Sequence, residues 1–307
     1  MKTLVIIGHH EQAEVQLVMQ KALQMGHKVA IFNTQTLPDH ANIDYLPHAQ
    51  TGNLVVYGQR IPFNDISGIY WAQLLPPQTQ QEPNKANAEL INYESSCLLQ
   101  LLLSQAHINW VNSLQAIQFH RIKPQQLGLA KQLGACIPET YVGNQHHQIS
   151  LFLKAYPKSI IKPVHTGGLT VLLTTQQHEL AHIAQWAKYA VTLQQYIPGE
   201  NVRTYVVNNW TVSGRIVTPE CSDHGDVSDY RGATKHEFVP ITLPIGIQQL
   251  AVRICHAMHM VFTAIDWRLK SDGSYVFLEA NPAPMFAFAQ AQLGVEIDTE
   301  IVKHLTA

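Results

Sequence analysis

Apolar residues recur along the chain in two periods, which divide it into short strands and helices. Leu4–Ile7 is a continuous apolar run of strand length, and Val29–Phe32 is a second one after Gly26. Between them, Glu11–Met25 carries Val15, Val18, Ala22 and Met25 at spacings of three and four, the stripe of an amphipathic helix. That order predicts a β-α-β opening. Asn53–Tyr57 and Gln59–Pro62 read as a small hairpin around Gly58, and Gly68–Trp71 as a further strand. Pro76–Asn87, rich in Gln, Pro and Asn, is an expected loop, followed by a helix over Leu90–Leu103 and a strand over Ile108–Val111.

Downstream, Lys123-Pro124 opens a helix through Leu127, Ala130 and Leu133 that stops at Gly134, with proline in the first turn, where its missing N–H does no harm. Ile137–Thr140 leads into a strand, and His146-His147 reads as part of a polar loop. Ser159–Lys162 is an apolar strand ending on a lysine. A short strand from Thr192, a Pro198-Gly199 turn and a strand over Arg203–Val207 come next. Ile247, Leu250, Ala251, Ile254 and Met258 repeat at helical spacing. Two strands, Phe262–Leu269 and Tyr275–Leu278, are joined by Ser271-Asp272-Gly273 as a hairpin, and Pro282 and Pro284 end it.

That hairpin holds the most informative chemistry. Asp266 lies inside one apolar strand, and Glu279 and Asn281 close the other; such groups are costly there unless something pairs them. Glu279 and Asn281 are two apart and so point to one side of an extended chain, and a hairpin can bring Asp266 opposite them. Three oxygen donors on one face suit Mg²⁺, which takes a few carboxylates and completes its shell from phosphate and water. The plainer reading is an ordinary turn at a strand end.

Composition narrows the field. A chain of 307 residues, 46% hydrophobic and 14% charged, can bury enough surface for two or three packed lobes. A formal net charge of −2 gives no support for a nucleic-acid surface, and no apolar run approaches membrane-spanning length. The 17 histidines follow no metal-binding spacing, and the four cysteines (Cys97, Cys136, Cys221 and Cys255) lie far apart with no CxxC. The opening apolar run is too short for a signal peptide, so the cytoplasm is the expected compartment. Gly8 lacks the companions of a GxGxxG fingerprint, which leaves a dinucleotide enzyme a weak reading of the β-α-β opening.

Other residues fit a phosphate-bearing ligand. Lys162 precedes His165-Thr166-Gly167-Gly168, where glycines would let backbone N–H groups approach phosphates and the ammonium would offset their charge. A surface turn beside a solvated lysine is the alternative. Gln195, Tyr196 and Ile197 before Pro198-Gly199 form a hinge whose backbone could hydrogen-bond an adenine, and Glu200 or Asn201 could reach a ribose hydroxyl. Arg203 and Arg215 flank the Val207–Trp210 turn, suited either to hold phosphate or carboxylate bidentately or to form structural ion pairs. Glu220–Lys235 is polar and reads as an exposed substrate-side loop.

Taken together, the collinear set resembles the ATP-grasp ligases. Lys123, Lys162 before a glycine turn, the Gln-Gln-Tyr-Ile hinge, Asn-Val-Arg at 201–203, Asp266 and Glu279-Ala-Asn281 stand in that family's order. The spacing is close to the branch of the ribosomal-protein glutamate ligase, and closer to the ligases that macrocyclise ribosomal peptides of the microviridin (graspetide) type. Trp110-Val-Asn112, Lys123, Gln126-Leu127, Ala130, Ile137-Pro-Glu-Thr140 and the run from Ile265 to Pro282 are similar to that group's motifs, and Asp229-Tyr230-Arg231 resembles its Asp-Trp-Arg element. The chain departs from it at Ala283-Pro284-Met285-Phe286, where those enzymes read Asn-Gly-Gln-Trp.

The resemblance implies an α/β chain, with an amino-terminal pre-ATP-grasp domain over 1–117, a central ATP-grasp lobe over 118–190 and a carboxy-terminal lobe with the Mg²⁺ site over 191–307. It implies ATP gripped by Lys123 and Lys162 on its phosphates and by the Gln195-Tyr196-Ile197 hinge at the adenine, with Asp266, Glu279 and Asn281 on Mg²⁺, or Mn²⁺ in its place. A peptide or small-molecule carboxylate would be activated as an acyl phosphate and joined to an amine or hydroxyl. Arg203 and Arg215 would stabilise the transferring group, and Arg231 would meet the substrate. A homodimer is compatible with this pattern. A catalytically inactive ATP-binding regulator is the alternative.

Overall fold

The computed structural model describes residues 2–164, 170–173, 180–218 and 237–307. By contact the chain forms two units, one of residues 1–114, 260–262 and 283–307, the other of residues 115–259 and 263–282.

The first unit is built on a parallel sheet of β1 (Thr3–Ile7), β2 (Lys28–Phe32), β6 (Ile66–Trp71) and β7 (Asn109–Val111), in the order β2-β1-β6-β7. All five residues of β1 are buried, as expected for an apolar strand covered on both faces. Helix α1 (Ala13–Gln24) buries Val15, Val18 and Ala22, while Met25 is 40% exposed because the helix ends before it. A second, antiparallel sheet has the order β3 (Ala41–Leu46), β4 (Thr51–Val56), β5 (Gln59–Pro62). Tyr57 and Gly58, both at positive φ, make the two-residue β4–β5 turn that the sequence predicts. Helix α2 (Lys85–Leu103) starts five residues earlier than Leu90, because the Asn84 side chain caps it at the Asn87 N–H. Asn112 of the Trp-x-Asn motif is fully buried; its Oδ1 accepts from the N–H of Val261 and of Phe262, and its Nδ2 donates to the Phe262 carbonyl. In this structure that motif residue holds chain segments together.

The second unit opens with α3 (Leu114–His120) and α4 (Lys123–Gln132). It contains an antiparallel sheet of β8 (Thr140–Gly143), β9 (Ser159–Lys162), β10 (Val171–Leu172) and β11 (Val191–Gln195), in the order β10-β9-β11-β8. Helix α5 (His146–Ala155) begins at the very histidines expected in a loop; Ile149 and Leu153 face the core of this lobe with Ile183 of α6 (Leu180–Trp186). A five-stranded sheet follows, made of β12 (Glu200–Val207), β13 (Trp210–Val217), β14 (Glu237–Ile241), β15 (Phe262–Leu269) and β16 (Tyr275–Asn281), in the order β14-β13-β12-β15-β16. Helix α7 (Ile245–Ala257) buries Leu250, Ala251, Ile254 and Cys255, the periodic residues of the sequence.

The chain then returns to the first unit through α8 (Ala287–Leu293) and α9 (Ile297–Thr306). Glu14 of α1 accepts from the N–H groups of Phe286 and Ala287 at the start of α8, and Lys21 pairs with Glu296 before α9. Gly68 of β6 lies against Leu305, so close that a Cβ would collide with the Leu305 backbone carbonyl. Gly68→Ala is therefore expected to destabilise the protein by about 1–3 kcal/mol, as overpacking against backbone does. A thermal unfolding midpoint equal to that of the wild type would show that the two elements can part freely.

Candidate active site

The β15–β16 hairpin sets the geometry. Asp266 and Glu279 are opposed in register and Asn281 faces Ala264, so all three oxygen-bearing side chains share one face. A bulge after Asp266 shifts the pairing there. Each carboxylate meets a cation. Arg203 of β12 binds Asp266 with both arms of its fork, Nε to Oδ1 at 2.7 Å and Nη2 to Oδ2 at 2.8 Å. Lys123 Nζ donates to Glu279 Oε2 at 2.8 Å from the first turn of α4. These side chains are 12–20% exposed, so each charge loses much of its hydration and requires its partner.

The segment that carries Lys123 also clamps the strand between the metal candidates. Gln126 is 1% exposed; its Oε1 accepts from the Ala280 N–H at 2.9 Å and its Nε2 donates to the Ala280 carbonyl at 3.0 Å. It acts on the edge strand β16 as a short piece of neighbouring strand would. His120 Nδ1 lies 2.8 Å from Gln126 Nε2 and 3.1 Å from the Ala280 carbonyl. Burial first, and then nearby Lys123, hold the His120 pKa below its ordinary value, against the opposing effect of Glu279.

The donor set fits a hard cation. Two carboxylates and an amide share one face, and a carboxylate has about four acceptor directions, so the lysine and arginine contacts leave some of them for a metal. Among the described residues no group of three or more His, Cys, Asp or Glu is arranged to hold an ion. The candidate is thus a two-carboxylate site of the kind Mg²⁺ uses with phosphates.

Lys162 ends β9 opposite Thr192 of β11, and its Nζ donates to Gln194 Oε1 at 3.0 Å. Gln194, 1% exposed, donates in turn to Thr140 Oγ1 at 3.0 Å. Residues 192 and 194 share Lys162's face of the sheet, so the contact falls to Gln194, and Gln195, named from the sequence, points the other way. At the hinge, the N–H of Gln195 donates to the Glu139 carbonyl and that of Tyr196 to the Lys158 carbonyl, whereas the N–H of Ile197 donates to no described group. Tyr196 is 6% exposed with the Lys158 ammonium 4.0 Å from its ring centroid.

The remaining candidates separate into two places. Glu200 pairs with Arg215 Nη1 at 2.9 Å on a half-exposed surface, and Asn201 Oδ1 accepts from Arg268 Nη1 at 2.8 Å. Arg215 therefore meets Glu200, while Arg203 is the arginine at the carboxylate hairpin. The glycine turn over 165–169 and the whole 220–235 loop, with Asp229-Tyr230-Arg231, lie outside the described residues. The sequence names Gln126 and Gln194 only as members of family-like motifs, with no role, and Arg268 not at all. For Arg268 a signal was present: an arginine inside an apolar strand, two residues after Asp266 and so on its face.

Residues 111–305 match the model of the RimK-like ATP-grasp domain. The chain belongs to the RimK-like ATP-grasp family. Over 171 residues it is 26% identical to N-acetylaspartylglutamate synthase A of Homo sapiens, a match that covers 52% of this chain and 42% of that protein. The chain thus spans less than half the length of that curated relative. The macrocyclase MdnC of Microcystis aeruginosa MRC, solved with precursor peptide MdnA, superimposes with a TM-score of 0.86 at 19% identity over 99% of both chains. The ATP-grasp ligase PsnB, solved with a minimal precursor, does so with a TM-score of 0.84 at 25% identity over 99% of this chain and 98% of its own. The fold is the mixed α/β ATP-grasp architecture along the whole chain, shared with the solved peptide ligases. The dinucleotide reading of the opening strands gives way to it.

Proposed function

We propose that this ATP-grasp chain is an ATP- and Mg²⁺-dependent ligase that activates a carboxylate as an acyl phosphate and joins it to an amine or hydroxyl on a peptide. The observation that carries the proposal is the pairing of Lys123 with Glu279 and of Arg203 with Asp266 on opposed positions of one hairpin. It makes an acid-rich face with two cations already beside it, suited to hold a metal and the phosphates together. The peptide class is supported by the solved relatives, of which MdnC is described with a precursor peptide and PsnB with a precursor, Mg and ADP. The matched relatives whose names give an activity are synthases and ligases, which favours turnover over an inactive regulator.

On this reading the lobes expected over 118–190 and 191–307 flank the nucleotide, and 1–117 precede them, although residues 283–307 pack with the first unit. Lys123 and Lys162 hold phosphate oxygens, and the Ile197 N–H is the hinge donor left for the adenine. Asn201 is engaged by Arg268, so Glu200 takes the ribose hydroxyl, steadied by Arg215. Asp266, Glu279 and Asn281 hold Mg²⁺, or Mn²⁺ with its similar taste for oxygen. The bound metal supplies positive charge that offsets the phosphates and stabilises the transferring phosphoryl group.

Two displacements then balance. A substrate carboxylate oxygen attacks the γ-phosphorus, and the β–γ bridging oxygen leaves with ADP. The amine or hydroxyl attacks the acyl carbon, phosphate leaves, and the nucleophile's proton passes to solvent. The chain contributes position and charge rather than a covalent nucleophile. Arg203 is the residue we assign to the transferring group, with Arg231 retained for the substrate.

The test is to incubate the protein with Mg²⁺, ATP and peptides rich in Asp or Glu together with Lys, Ser or Thr, and to follow ADP and peptide mass. The expected result is loss of one water from the peptide for each ADP released. ATP consumption that never alters a carboxylate-bearing substrate would count against a ligase. Lys162→Ala is expected to weaken ATP binding about 10–100-fold, the worth of one or two charge-assisted hydrogen bonds. Unchanged affinity by calorimetry would remove Lys162 from the phosphates.

A further inference from the structure

Building on that nucleotide reading, we propose that Arg268 is the positioning residue that sets base selectivity at the 195–197 hinge. Arg268 is 4% exposed and projects from β15 on the same face as Asp266. Its guanidinium spans the turn that joins β11 to β12. Nε donates to the Ile197 carbonyl at 2.9 Å, Nη1 to Asn201 Oδ1 at 2.8 Å, and Nη2 reaches the Tyr196 hydroxyl at 3.4 Å. Between those contacts, Gly199 has φ +142°, and a Cβ there would collide with the carbonyl of Leu269, the residue after Arg268. The turn therefore lies flush on the end of β15, gripped at residues 197 and 201 by one planar fork.

The consequence falls on Ile197. Its carbonyl side is held by Arg268, and its amino side follows Tyr196, whose N–H is fixed on the Lys158 carbonyl. Its own N–H donates to no described group. A donor fixed in direction pairs with the lone pair at N1 of adenine and opposes the N1–H of guanine. Discrimination of this kind requires that the peptide cannot rotate to present its other edge. A lysine in place of Arg268 carries one compact ammonium on a flexible stem, and it cannot hold Ile197 and Asn201 together.

The experiment is calorimetric titration of the wild-type, Arg268→Lys and Asn201→Ala proteins with non-hydrolysable ATP and GTP analogues in Mg²⁺, with thermal unfolding to monitor the fold. The wild type is expected to prefer the adenosine analogue. In Arg268→Lys that analogue should bind about tenfold more weakly, one lost hydrogen bond's worth, with the guanosine analogue little changed, so that the preference collapses. Asn201→Ala should move the ratio in the same direction by less. A lysine variant that weakens both analogues equally, or neither, overturns the assignment, since a merely structural residue would not change the ratio. Should Arg268→Lys fail to fold, an unchanged ratio in Asn201→Ala overturns it equally. A wild type that binds neither nucleotide would overturn the nucleotide reading itself, which keeps the two failures apart.

Discussion

Glu279→Gln is expected to lower Mg²⁺-dependent turnover by about two to three orders of magnitude, the cost of removing one preorganised charge from a phosphoryl-transfer site. The substitution keeps the shape and an oxygen that can still accept from Lys123, 2.8 Å away in the wild type. What disappears is one of the two carboxylate charges on the hairpin face, opposite Asp266. Mg²⁺ should activate the variant only at higher concentrations, while the fold is kept and the unfolding midpoint falls by less than in Arg203→Ala, because the amide oxygen still accepts from Lys123. The two readouts separate loss of metal from loss of fold. Turnover like that of the wild type, with the same Mg²⁺ dependence, would remove Glu279 from the metal site.

Arg203→Ala is expected to cost both activity and stability. The side chains of Arg203 and Asp266 are 12% and 14% exposed and joined by two short hydrogen bonds. Removing one partner leaves the other buried and uncompensated, which costs about 3–5 kcal/mol in comparable pairs. Urea unfolding measures it, and adding Asp266→Asn should recover part of the loss, because the orphaned charge is then gone. The pair between Arg215 and Glu200 is the internal control. With side chains 38% and 50% exposed, it is hydrated and screened, so Arg215→Ala should cost well under about 1 kcal/mol. Equal destabilisation by the two arginine substitutions would mean that burial does not separate these pairs.

Much of the scaffold was legible because it follows periodicity. The α1 stripe, the Tyr57-Gly58 hairpin, the Pro124-led start of α4 and the two strands that carry Asp266 and Glu279 each rest on a local rule that packing obeys. Strand β3 escaped notice because Asn42 and Asp44, poor strand formers, interrupt it, although Ala41 and Ile43 alternate with them into the core. Helix α5 was hidden by the polar pair at its start, with Ile149 and Leu153 one turn apart behind it. The membership of α8 and α9 in the first unit depends on contacts such as Lys21 with Glu296, across 275 positions of sequence, which no local pattern encodes.

The chemistry divides in the same way. Charged residues inside apolar strands announced Asp266, Glu279 and Arg203 because burying them requires partners. Which partner each would take was not legible, since it depends on the order of strands within one sheet, which sets β12 beside β15, and on α4. Gln126 acts by bonding to the Ala280 carbonyl and amide, and such contacts leave no spacing in the sequence, whereas Arg268 showed only as an arginine inside an apolar strand, without its partners. Gln194 and Gln195 are adjacent and chemically identical, so only the strand's phase relative to Lys162 decides between them.

The measurement that bears most directly on an ATP-dependent ligase is ADP release from Mg²⁺-ATP by the purified protein, with and without extract of the source cell, beside Glu279→Gln. The expected result is release that requires Mg²⁺, extract and Glu279 together. Tight ATP binding with no ADP under any of these conditions would contradict it.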